Sequence, residues 1–396
     1  MKATTEKDKL LFVGPYPPPF SGPEYAMKTL LESGLKDEFD IVFYNTNFRS
    51  SLDQKGRMDL NLLRAFFRFN YHLIQYIVKN RPKLVYYFVT ATQMGWIGKD
   101  IWCILISKLL GRKVVIHMRA GHFRINYNNF NSIFKWIVRK TIGLVNLGIV
   151  QADVLKNQFS GLIPDDKIAS IYNSIDIDKF FNPAPTVYDR NIIFYMGHLS
   201  FAKGYCDLLK ALPLIASEFP EVVFCFAGTK LYKERNVHHN QVTGEQIEIE
   251  SIDDVYDRHI KGKYEDHYRY LGIIDEPEKI EWFKRCNLFI LPSYSEGFSM
   301  SVLEALAMSK PVVCTPVGAL AEIVHDEAQG LIVNPGDISG FAEAIVTLMK
   351  NEEMRNKIAV NNGVYAREMF SINTIQSKLA RLFRKVMGDN GSRHAS

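Results

Sequence analysis

The stretch EGFSMSVLE, residues 296–304, places two glutamates eight residues apart on either side of a turn that contains Gly297. A short apolar run, LFIL at residues 288–291, precedes the turn, and the apolar spacing after it predicts a helix. Because the first N–H groups of a helix point out of its end, such a turn presents hydrogen-bond donors to an anion such as a phosphate. We expect Glu296 and Glu304 to face hydroxyl groups on either side of that anion, so the first hypothesis is a nucleotide-sugar site.

The composition predicts an ordinary globular chain of two domains, with 396 residues of which 47% are hydrophobic. Five scattered cysteines without CxxC or Cys/His spacing are typical of buried free thiols in a reducing compartment. The N-terminal MKATTEKDKL has no secretory apolar core, and no apolar run is long enough to span a bilayer, so a cytoplasmic location is expected. The terminal GSRHAS, residues 391–396, is interpreted as the remnant of an expression tag.

The positive charge is concentrated in the first half of the chain. Residues 1–190 contain 26 Lys and Arg against 16 Asp and Glu, whereas the remainder contains 22 against 27. Between residues 60 and 140, Asp100 is the single acid among fourteen basic residues. This asymmetry predicts an anionic partner for the first half, which is a membrane surface, a phosphorylated acceptor or a nucleic acid. The alternative is a solvated basic face without a partner.

Short apolar runs alternate with helical patterns through the first half, which predicts a parallel sheet covered by helices on both faces. The predicted strands are residues 9–14, 40–44, 84–89, 113–117, 148–150 and 167–171. The predicted helices are residues 24–33, 60–80, 98–110 and 131–140. We therefore expect an N-terminal Rossmann-like domain over residues 1–182, which would bind the acceptor if the nucleotide-sugar hypothesis holds.

A second alternation begins after residues 182–190, a loop with two prolines that is interpreted as a linker. It predicts a second doubly wound domain over residues 190–370, and a final helix at 371–388 is expected to pack back on the first domain. Since ligands bind at the carboxyl ends of the strands in such sheets, we expect the two domains to face a central cleft.

Residues 229–270 interrupt the second alternation with a polar segment. A loop of this length without structure of its own is usually functional or disordered. The pair His238-His239 has no third ligand at a metal spacing, so this segment is interpreted as a surface insert and not as a metal site.

The residues around 296–304 resemble family GT4, the retaining glycosyltransferases with an E-x7-E signature. The segment GHLSFAKG, residues 197–204, is similar to that family's G-R-L-x3-K-G phosphate motif. IYNSIDIDKF at 171–180 and GLIVNPGD at 330–337 are also similar to family segments. The resemblance covers residues 190–370, apart from the insert, and implies the GT-B fold, which is an α/β architecture of two doubly wound Rossmann-like domains.

Carried over residue by residue, the resemblance implies a site for the donor diphosphate. Lys203 matches the lysine that stabilises the leaving phosphate. His198 stands where the family has an arginine, so it supplies a weaker and pH-dependent donor. Ser21-Gly22 corresponds to a glycine-rich loop that approaches the phosphates, for which a plain Pro/Gly turn is the alternative reading.

The same resemblance assigns the two glutamates. Glu304 matches the carboxylate that holds the ribose hydroxyls, and Glu296 matches the one that contacts the transferred sugar. Further backbone donors are expected from Gly297, Phe298 and Ser299.

The resemblance also implies a histidine near the reacting sugar, and His117 at the end of a predicted strand matches it. Its alternative is a satisfied core histidine. Arg119 and Arg124 follow as candidate contacts to an acceptor phosphate. By resemblance the catalytic residues are His117, Glu296 and Lys203, the transfer retains anomeric configuration, and no metal or other cofactor is required.

The sequence therefore predicts a hexosyltransferase that moves a sugar from a UDP- or GDP-sugar to a glycan or lipid-linked acceptor in bacterial surface polysaccharide, lipopolysaccharide or glycolipid synthesis. The basic, aromatic-rich first half predicts peripheral contact with the inner face of an anionic membrane. A GT-B-fold epimerase, a small-molecule glycosyltransferase and a non-catalytic relative are the alternatives. A nucleic-acid-binding protein would share the basic charge, but the chain lacks such a motif.

Overall fold

The computed structural model describes residues 7–18, 22–47, 60–180, 191–231 and 238–388. The chain divides into two compact units, residues 1–174 with 372–396, and residues 175–371. The chain passes from the first unit to the second between Ser174 and Ile175, upstream of the linker predicted at 182–190. That linker lies outside the described residues.

In its described residues, the first unit has six strands and seven α-helices before the chain enters the second unit. The strands are β1 Lys9–Gly14, β2 Asp40–Asn45, β3 Leu84–Val89, β4 Lys113–Met118, β5 Leu147–Val150 and β6 Ile168–Ser170. The helices are α1 Gly22–Glu32, α2 Leu35–Glu38, α3 Leu60–Asn80, α4 Gln93–Gly95, α5 Ile101–Leu109, α6 Phe123–Asn128 and α7 Ser132–Ile142. A π-helical turn, Trp96–Asp100, joins α4 to α5, so the helical segment begins at Gln93, before the start of the helix predicted at 98–110.

The strands of the first unit form one parallel sheet in the order β2-β1-β3-β4-β5-β6. All six residues of β3 are buried, as expected for a central strand covered by helices on both faces. At the carboxyl end of the sheet, Phe88 pairs with His117 and Val89 with Met118. This register places His117 at the edge where such sheets carry their functional residues.

The second unit begins with a short helix, Ile177–Phe180, and contains a second parallel sheet. The strands of this unit are β7 Ile192–Met196, β8 Val223–Ala227, β9 His238–His239, β10 Gln246–Ile247, β11 Tyr268–Gly272, β12 Leu288–Leu291, β13 Val312–Cys314 and β14 Gly330–Ile332, of which β9 and β10 form a separate hairpin. Its helices are α8 Ile177–Phe180, α9 Tyr205–Glu218, α10 Ile252–His259, α11 Glu276–Arg285, α12 Met300–Ala307, α13 Leu320–Ile323, α14 Ile338–Lys350 and α15 Glu352–Phe370. The sheet order is β11-β8-β7-β12-β13-β14, so the predicted pair of doubly wound α/β sheets is confirmed.

The described part of the insert, residues 229–231 and 238–270, is not an irregular loop, which corrects the sequence-based expectation. The antiparallel strands β9 and β10 form a hairpin, helix α10 starts at its N-cap Ser251, and β11 adds an edge strand to the sheet beside β8. Ile252 and Val255 are buried on the face of α10 that packs against α9. The high density of charged residues around this narrow apolar stripe concealed the helix in the sequence.

The last helix, α16 Ile372–Met387, belongs to the first unit. Leu379 and Phe383 are buried in the same cluster as β1 and β3. The Phe383 ring lies 5.1 Å from that of Tyr86 and 5.9 Å from that of Phe12. Gly34 donates its N–H to Gln376 Oε1 at 2.7 Å, which fixes the helix beside α2.

Replacing Phe383 with alanine removes the aromatic contacts that join α16 to the sheet. We expect Phe383→Ala to lower the free energy of unfolding of the first unit by about 3–5 kcal/mol, the range for a large-to-small aromatic substitution in a core. Urea unfolding followed by circular dichroism measures this loss. Arg381→Ala, on the exposed side of the same helix, is the control and should remain within about 0.5 kcal/mol of the parent. Equal effects of the two substitutions would contradict the assigned packing.

Candidate active site

The topology of the second unit defines where a ligand binds. Its sheet order reverses between β7 and β12, because the chain proceeds outward through β8 and β11 on one side and through β13 and β14 on the other. In open α/β sheets, ligands occupy the crevice outside the carboxyl ends of the two strands at this reversal. The two segments that leave these ends, residues 197–204 after β7 and 292–299 after β12, are called the switch-point loops below.

The first switch-point loop presents Lys203 in a short 3-10 turn, Phe201–Lys203. Gly204 follows with a φ of +70°, and a Cβ atom there would lie 2.1 Å from the carbonyl oxygen of Pro292. Only glycine permits this approach of the two loops. His198 is exposed, and its carbonyl oxygen accepts a hydrogen bond from the Tyr195 hydroxyl at 2.7 Å.

Glu296 on the second switch-point loop forms an ion pair with Lys203. The side chain of Glu296 is 8% exposed, and its Oε1 lies 2.6 Å from Lys203 Nζ. Ser293 Oγ donates to the same oxygen at 2.8 Å, and the Glu296 N–H donates to Gln241 Oε1 at 3.0 Å. A buried carboxylate without such partners would be costly, so these contacts hold it in one position.

Gly318 allows a third segment to support Glu296. Its φ is +55°, and a Cβ atom there would lie 2.2 Å from the carbonyl oxygen of Glu296. Ala319 donates its N–H to the carbonyl oxygen of Gly297 at 2.9 Å. The turn that follows β13 is therefore packed directly against the backbone of the E-x7-E stretch.

Glu304 lies on α12 and has a lysine partner of its own. Its side chain is 7% exposed, and Oε1 lies 2.6 Å from Nζ of Lys279 on α11. Burial raises the pKa of the Glu304 carboxyl, and the charge and hydrogen bond of Lys279 act in the opposite direction. Because Lys279 Nζ also lies 4.8 Å from the Phe180 ring, this cation is fixed between α8, α11 and α12.

Helix α12 begins after the turn that contains Gly297, where the sequence predicted a helix N-terminus. Ser299 is its N-cap, and its Oγ accepts from the Val302 N–H at 3.4 Å. Phe298 is buried with its ring 6.3 Å from that of Phe370. Gly297 and Ser299 thus lie beside Glu296 at a helix N-terminus, the arrangement that favours an anion.

His117 in the first unit is almost completely buried, with 1% of its surface exposed. Its Nδ1 lies 2.6 Å from the Tyr86 hydroxyl, and its Nε2 lies 3.5 Å from an Arg119 guanidinium nitrogen. Burial, and then the nearby charge of Arg119, lowers the pKa of the imidazole well below its usual value. The ring is therefore neutral at physiological pH.

The two candidate arginines are held differently. Arg119 donates to Asn173 Oδ1 at 2.5 Å, and burial lowers the pKa of its guanidinium to about 10. Arg124 donates from Nε to the carbonyl of Asn157 at 3.1 Å and also bonds the carbonyl of Ser160. In this structure Arg124 therefore holds the segment 157–160. Gly22, the first residue of α1, is exposed, and Ser21 lies outside the described residues.

Within the second unit the structure brings together Lys203, Glu296, Gly297, Ser299 and Glu304 on adjoining segments. Sequence reasoning missed the partners of the two glutamates, Lys279, Ser293 and Gln241. The charged pair at residues 279 and 304 leaves no periodic signal, because the partners are 25 residues apart on different helices. Ser293 lay close enough to Glu296 in sequence to have been considered.

Comparison with known proteins identifies the fold and relates the second unit to one family. The chain superposes on Anabaena HepE in complex with UDP-glucose with a TM-score of 0.67 and 20% identity, over 95% of this chain and 99% of that one. It superposes on the lipopolysaccharide outer core galactosyltransferase WaaB with a TM-score of 0.67 and 15% identity, over 95% and 99%. Both chains are glycosyltransferase-type structures of two Rossmann-like domains, and the fold of this chain is GT-B.

Residues 176–363 match the family Glycosyl transferases group 1. An uncharacterized glycosyltransferase of Methanocaldococcus jannaschii is 28% identical over 216 residues, 54% of this chain and 52% of that protein. The phosphatidyl-myo-inositol mannosyltransferase of Mycobacterium leprae is 23% identical over 260 residues, 64% and 63% of the two chains. The alignments span between about half and two thirds of these curated relatives. The match covers just under half of the chain and lies within the second unit, so this unit is similar to the group 1 glycosyltransferases.

The buried His117 makes stability depend on pH in a defined direction. Its pKa is lowered in the folded state, so below about pH 6.5 the unfolded chain takes up a proton that the folded protein excludes. Stability is fully present above that pH and falls as the pH decreases, by up to about 1.4 kcal/mol per pH unit. His117→Gln should reduce the loss between pH 7.5 and 5.5, measured as urea midpoints, although His122 still contributes in the same direction. An identical pH dependence in both proteins would contradict the assignment.

Proposed function

We propose that the protein is a retaining glycosyltransferase of the GT4 type, which transfers a sugar from a UDP- or GDP-sugar to a glycan or lipid-linked acceptor. One observation carries the proposal: Lys203 and Glu296 form an ion pair between the two switch-point loops, and Glu304 lies on the helix that follows the second loop, in the unit that matches the group 1 glycosyltransferases. A lysine and two hydrogen-bonding carboxylates are the groups that a diphosphate with two flanking sugars requires.

Lys203 is assigned to the diphosphate. Its side chain is 26% exposed, so its ammonium is accessible, whereas its partner Glu296 is buried. As the bond to the sugar breaks, negative charge grows on the leaving phosphate, and a cation already held at that point stabilises it without reorganisation. Further hydrogen-bond donors are assigned to His198 on the same loop and to the N–H groups of Gly297, Phe298 and Ser299.

Glu304 is assigned to the ribose hydroxyls. A carboxylate accepts hydrogen bonds from two adjacent hydroxyls only in its ionised form. Burial alone favours the protonated form of the Glu304 carboxyl. Lys279 on α11 acts in the opposite direction and favours the ionised form, which accepts hydrogen bonds. Lys279 is therefore a positioning residue for nucleotide binding.

Glu296 is assigned to the sugar, and by resemblance His117 is assigned to the reacting sugar and Gly22 to the donor phosphates. A neutral imidazole at His117 acts as a hydrogen-bonding group toward the sugar and not as a cation. The acceptor hydroxyl attacks on the face that the leaving phosphate vacates, so configuration is retained without an enzyme nucleophile or a metal ion. Arg119 is assigned to the acceptor, and Arg124 is kept as a candidate for the same role.

The relatives support this choice of substrates. The Anabaena structure is a complex with UDP-glucose, and the mycobacterial relative is named for a phosphatidyl-myo-inositol acceptor. Two independent comparisons thus combine a nucleotide-sugar donor with a lipid-linked acceptor. Synthesis of bacterial surface polysaccharide, lipopolysaccharide or glycolipid is the process that uses both.

The first unit has a surface suited to a membrane-bound acceptor. Helices α3, α5 and α7 pack side by side, and they expose large apolar side chains that include Phe67, Trp102, Leu109, Ile133 and Trp136. Ile133 is 75% exposed and Trp136 61% exposed. An open groove of about 490 Å³, lined by residues of α7 and by Gln93 and Ile97, adjoins them. We call this surface the apolar–basic face.

Charge supports an anionic bilayer as the partner of the apolar–basic face. Arg64, Arg68, Arg139 and Lys140 are exposed on α3 and α7. Asp100, the one acid between residues 60 and 140, is completely buried and bonded to Tyr87 and Thr90. Exposed basic side chains beside exposed tryptophan and isoleucine are typical of peripheral membrane contact. Within the described residues, no helix is both long and apolar enough to cross a bilayer.

The donor assignment is tested by nucleotide binding. Lys203→Met should weaken binding of UDP or GDP by about tenfold to a hundredfold, since a hydrogen bond to a charged group is lost. Glu304→Gln should weaken the same binding through the ribose. Lys284→Met and Glu281→Gln, an exposed pair 3.9 Å apart on α11, are the matched controls. Isothermal calorimetry and hydrolysis of UDP- and GDP-sugars are the measurements, and unchanged binding in Lys203→Met would refute its role.

The membrane assignment is tested by co-sedimentation with vesicles of phosphatidylglycerol and phosphatidylcholine. Ile133→Ser/Trp136→Ser should lower bound protein by about tenfold, and Arg139→Glu/Lys140→Glu should lower it further while reducing its sensitivity to salt. Ile273→Ser is the control, because Ile273 is 81% exposed on the second unit. Binding that ignores both the anionic lipid fraction and the salt concentration would rule out this surface as the docking site.

A further inference from the structure

The insert between β8 and β11 reaches the second switch-point loop. In the turn between β9 and β10, the Gln241 N–H donates to the Tyr294 carbonyl at 3.0 Å. The Gln241 side chain accepts from the Glu296 N–H at 3.0 Å. The hairpin of residues 238–247, called the insert hairpin below, thus binds this loop by main chain and by side chain, on both sides of Ser295.

The second contact matters because Glu296 is buried. A buried N–H without a partner carries its full desolvation cost, so the backbone of Glu296 takes the orientation in which Gln241 accepts from it. That backbone orientation sets the direction in which the carboxylate leaves the chain toward Lys203 Nζ, 2.6 Å away. Gln241 therefore influences the reacting side of the loop through one defined hydrogen bond.

The turn that carries Gln241 has a fixed conformation of its own. Asn240 is 8% exposed, and its Oδ1 accepts from the N–H groups of Val242 at 2.9 Å and Thr243 at 3.3 Å. The Asn240 N–H donates to the Glu245 carbonyl at 2.8 Å, which closes the turn. The side chain that reaches Glu296 is thus presented from a preorganised support.

Upstream of the insert hairpin, the insert also contacts the first switch-point loop, where the Leu199 N–H donates to the Thr229 carbonyl at 2.9 Å and the Leu231 N–H donates to the Leu199 carbonyl at 3.0 Å. Downstream of the hairpin, Glu250 pairs with Lys210 on α9, and α10 packs against the same helix. Helix α9 begins directly after Lys203 and Gly204. The insert therefore contacts the elements that carry both members of the Lys203–Glu296 pair.

We propose that the insert hairpin is a working part of the donor site, in which Gln241 is a positioning residue that sets the affinity for the transferred sugar through Glu296. This inference rests on the proposed function, since it assigns the Glu296 carboxylate to the sugar of a nucleotide-sugar. Binding of the nucleotide diphosphate, which depends on Lys203 and Glu304, does not use this hydrogen bond. The insert thereby affects sugar recognition separately from nucleotide recognition.

The test compares two ligands in one series of variants. Gln241→Met keeps the length of the side chain and removes the acceptor oxygen, whereas Gln241→Ala removes both. The control is Gln246→Met, an exposed glutamine on strand β10 of the same hairpin. Calorimetry on the full chain measures UDP against UDP-glucose and GDP against GDP-mannose, with melting temperatures recorded for each variant.

We expect Gln241→Met to weaken the sugar nucleotide by about fivefold to tenfold, the equivalent of one ordinary hydrogen bond, while the diphosphate alone binds as in the parent. Gln246→Met should match the parent on both ligands. An equal loss on both ligands, or no loss on either, would overturn the role of Gln241 and leave the proposed function intact. A parent protein that binds none of the four ligands would instead overturn the proposed function, and this inference with it.

Discussion

The ion pair between Lys203 and Glu296 is the interaction around which the second unit is arranged. Glu296 is buried, so its charge is tolerated only where a cation and further donors meet it. The sheet brings the two loops to one edge, Gly204 lets them approach, and Gly318 lets a third segment close against the backbone of Glu296. The distance of 2.6 Å between Lys203 Nζ and Glu296 Oε1 depends on each of these features.

The second pair, Lys279 with Glu304, gives the site its electrostatic balance. Two carboxylates next to an anion-binding helix start would repel a phosphate if they were left uncompensated. With one lysine held against each glutamate, the four side chains are together neutral. In the proposed donor site, the backbone dipoles of the loops and of α12 would then favour an anion, and the carboxylates would remain as hydrogen-bond acceptors for hydroxyls.

The sequence was sufficient for most of the parallel strands and for the position of the E-x7-E stretch, because both leave local signals. Buried parallel strands such as Leu84–Val89 are continuous apolar runs, and the E-x7-E stretch lies within one loop and one helix. What could not be predicted depends on long-range pairing. The contact of Gln241 with Glu296 spans 55 residues, and it required the fold of the insert, whose helix α10 has too few apolar residues to stand out.

The return of α16 to the first unit has a consequence for the order in which the chain matures. Residues 175–371 form the whole second unit and are translated before α16, whose Leu379 and Phe383 complete the core around Phe12 and Tyr86. Because domains fold as units during synthesis, every residue of the second unit is available for folding before the helix that completes the core of the first unit. Tyr86, whose hydroxyl lies 2.6 Å from His117 Nδ1, therefore gains its contact with Phe383 only after the whole second unit has been synthesised.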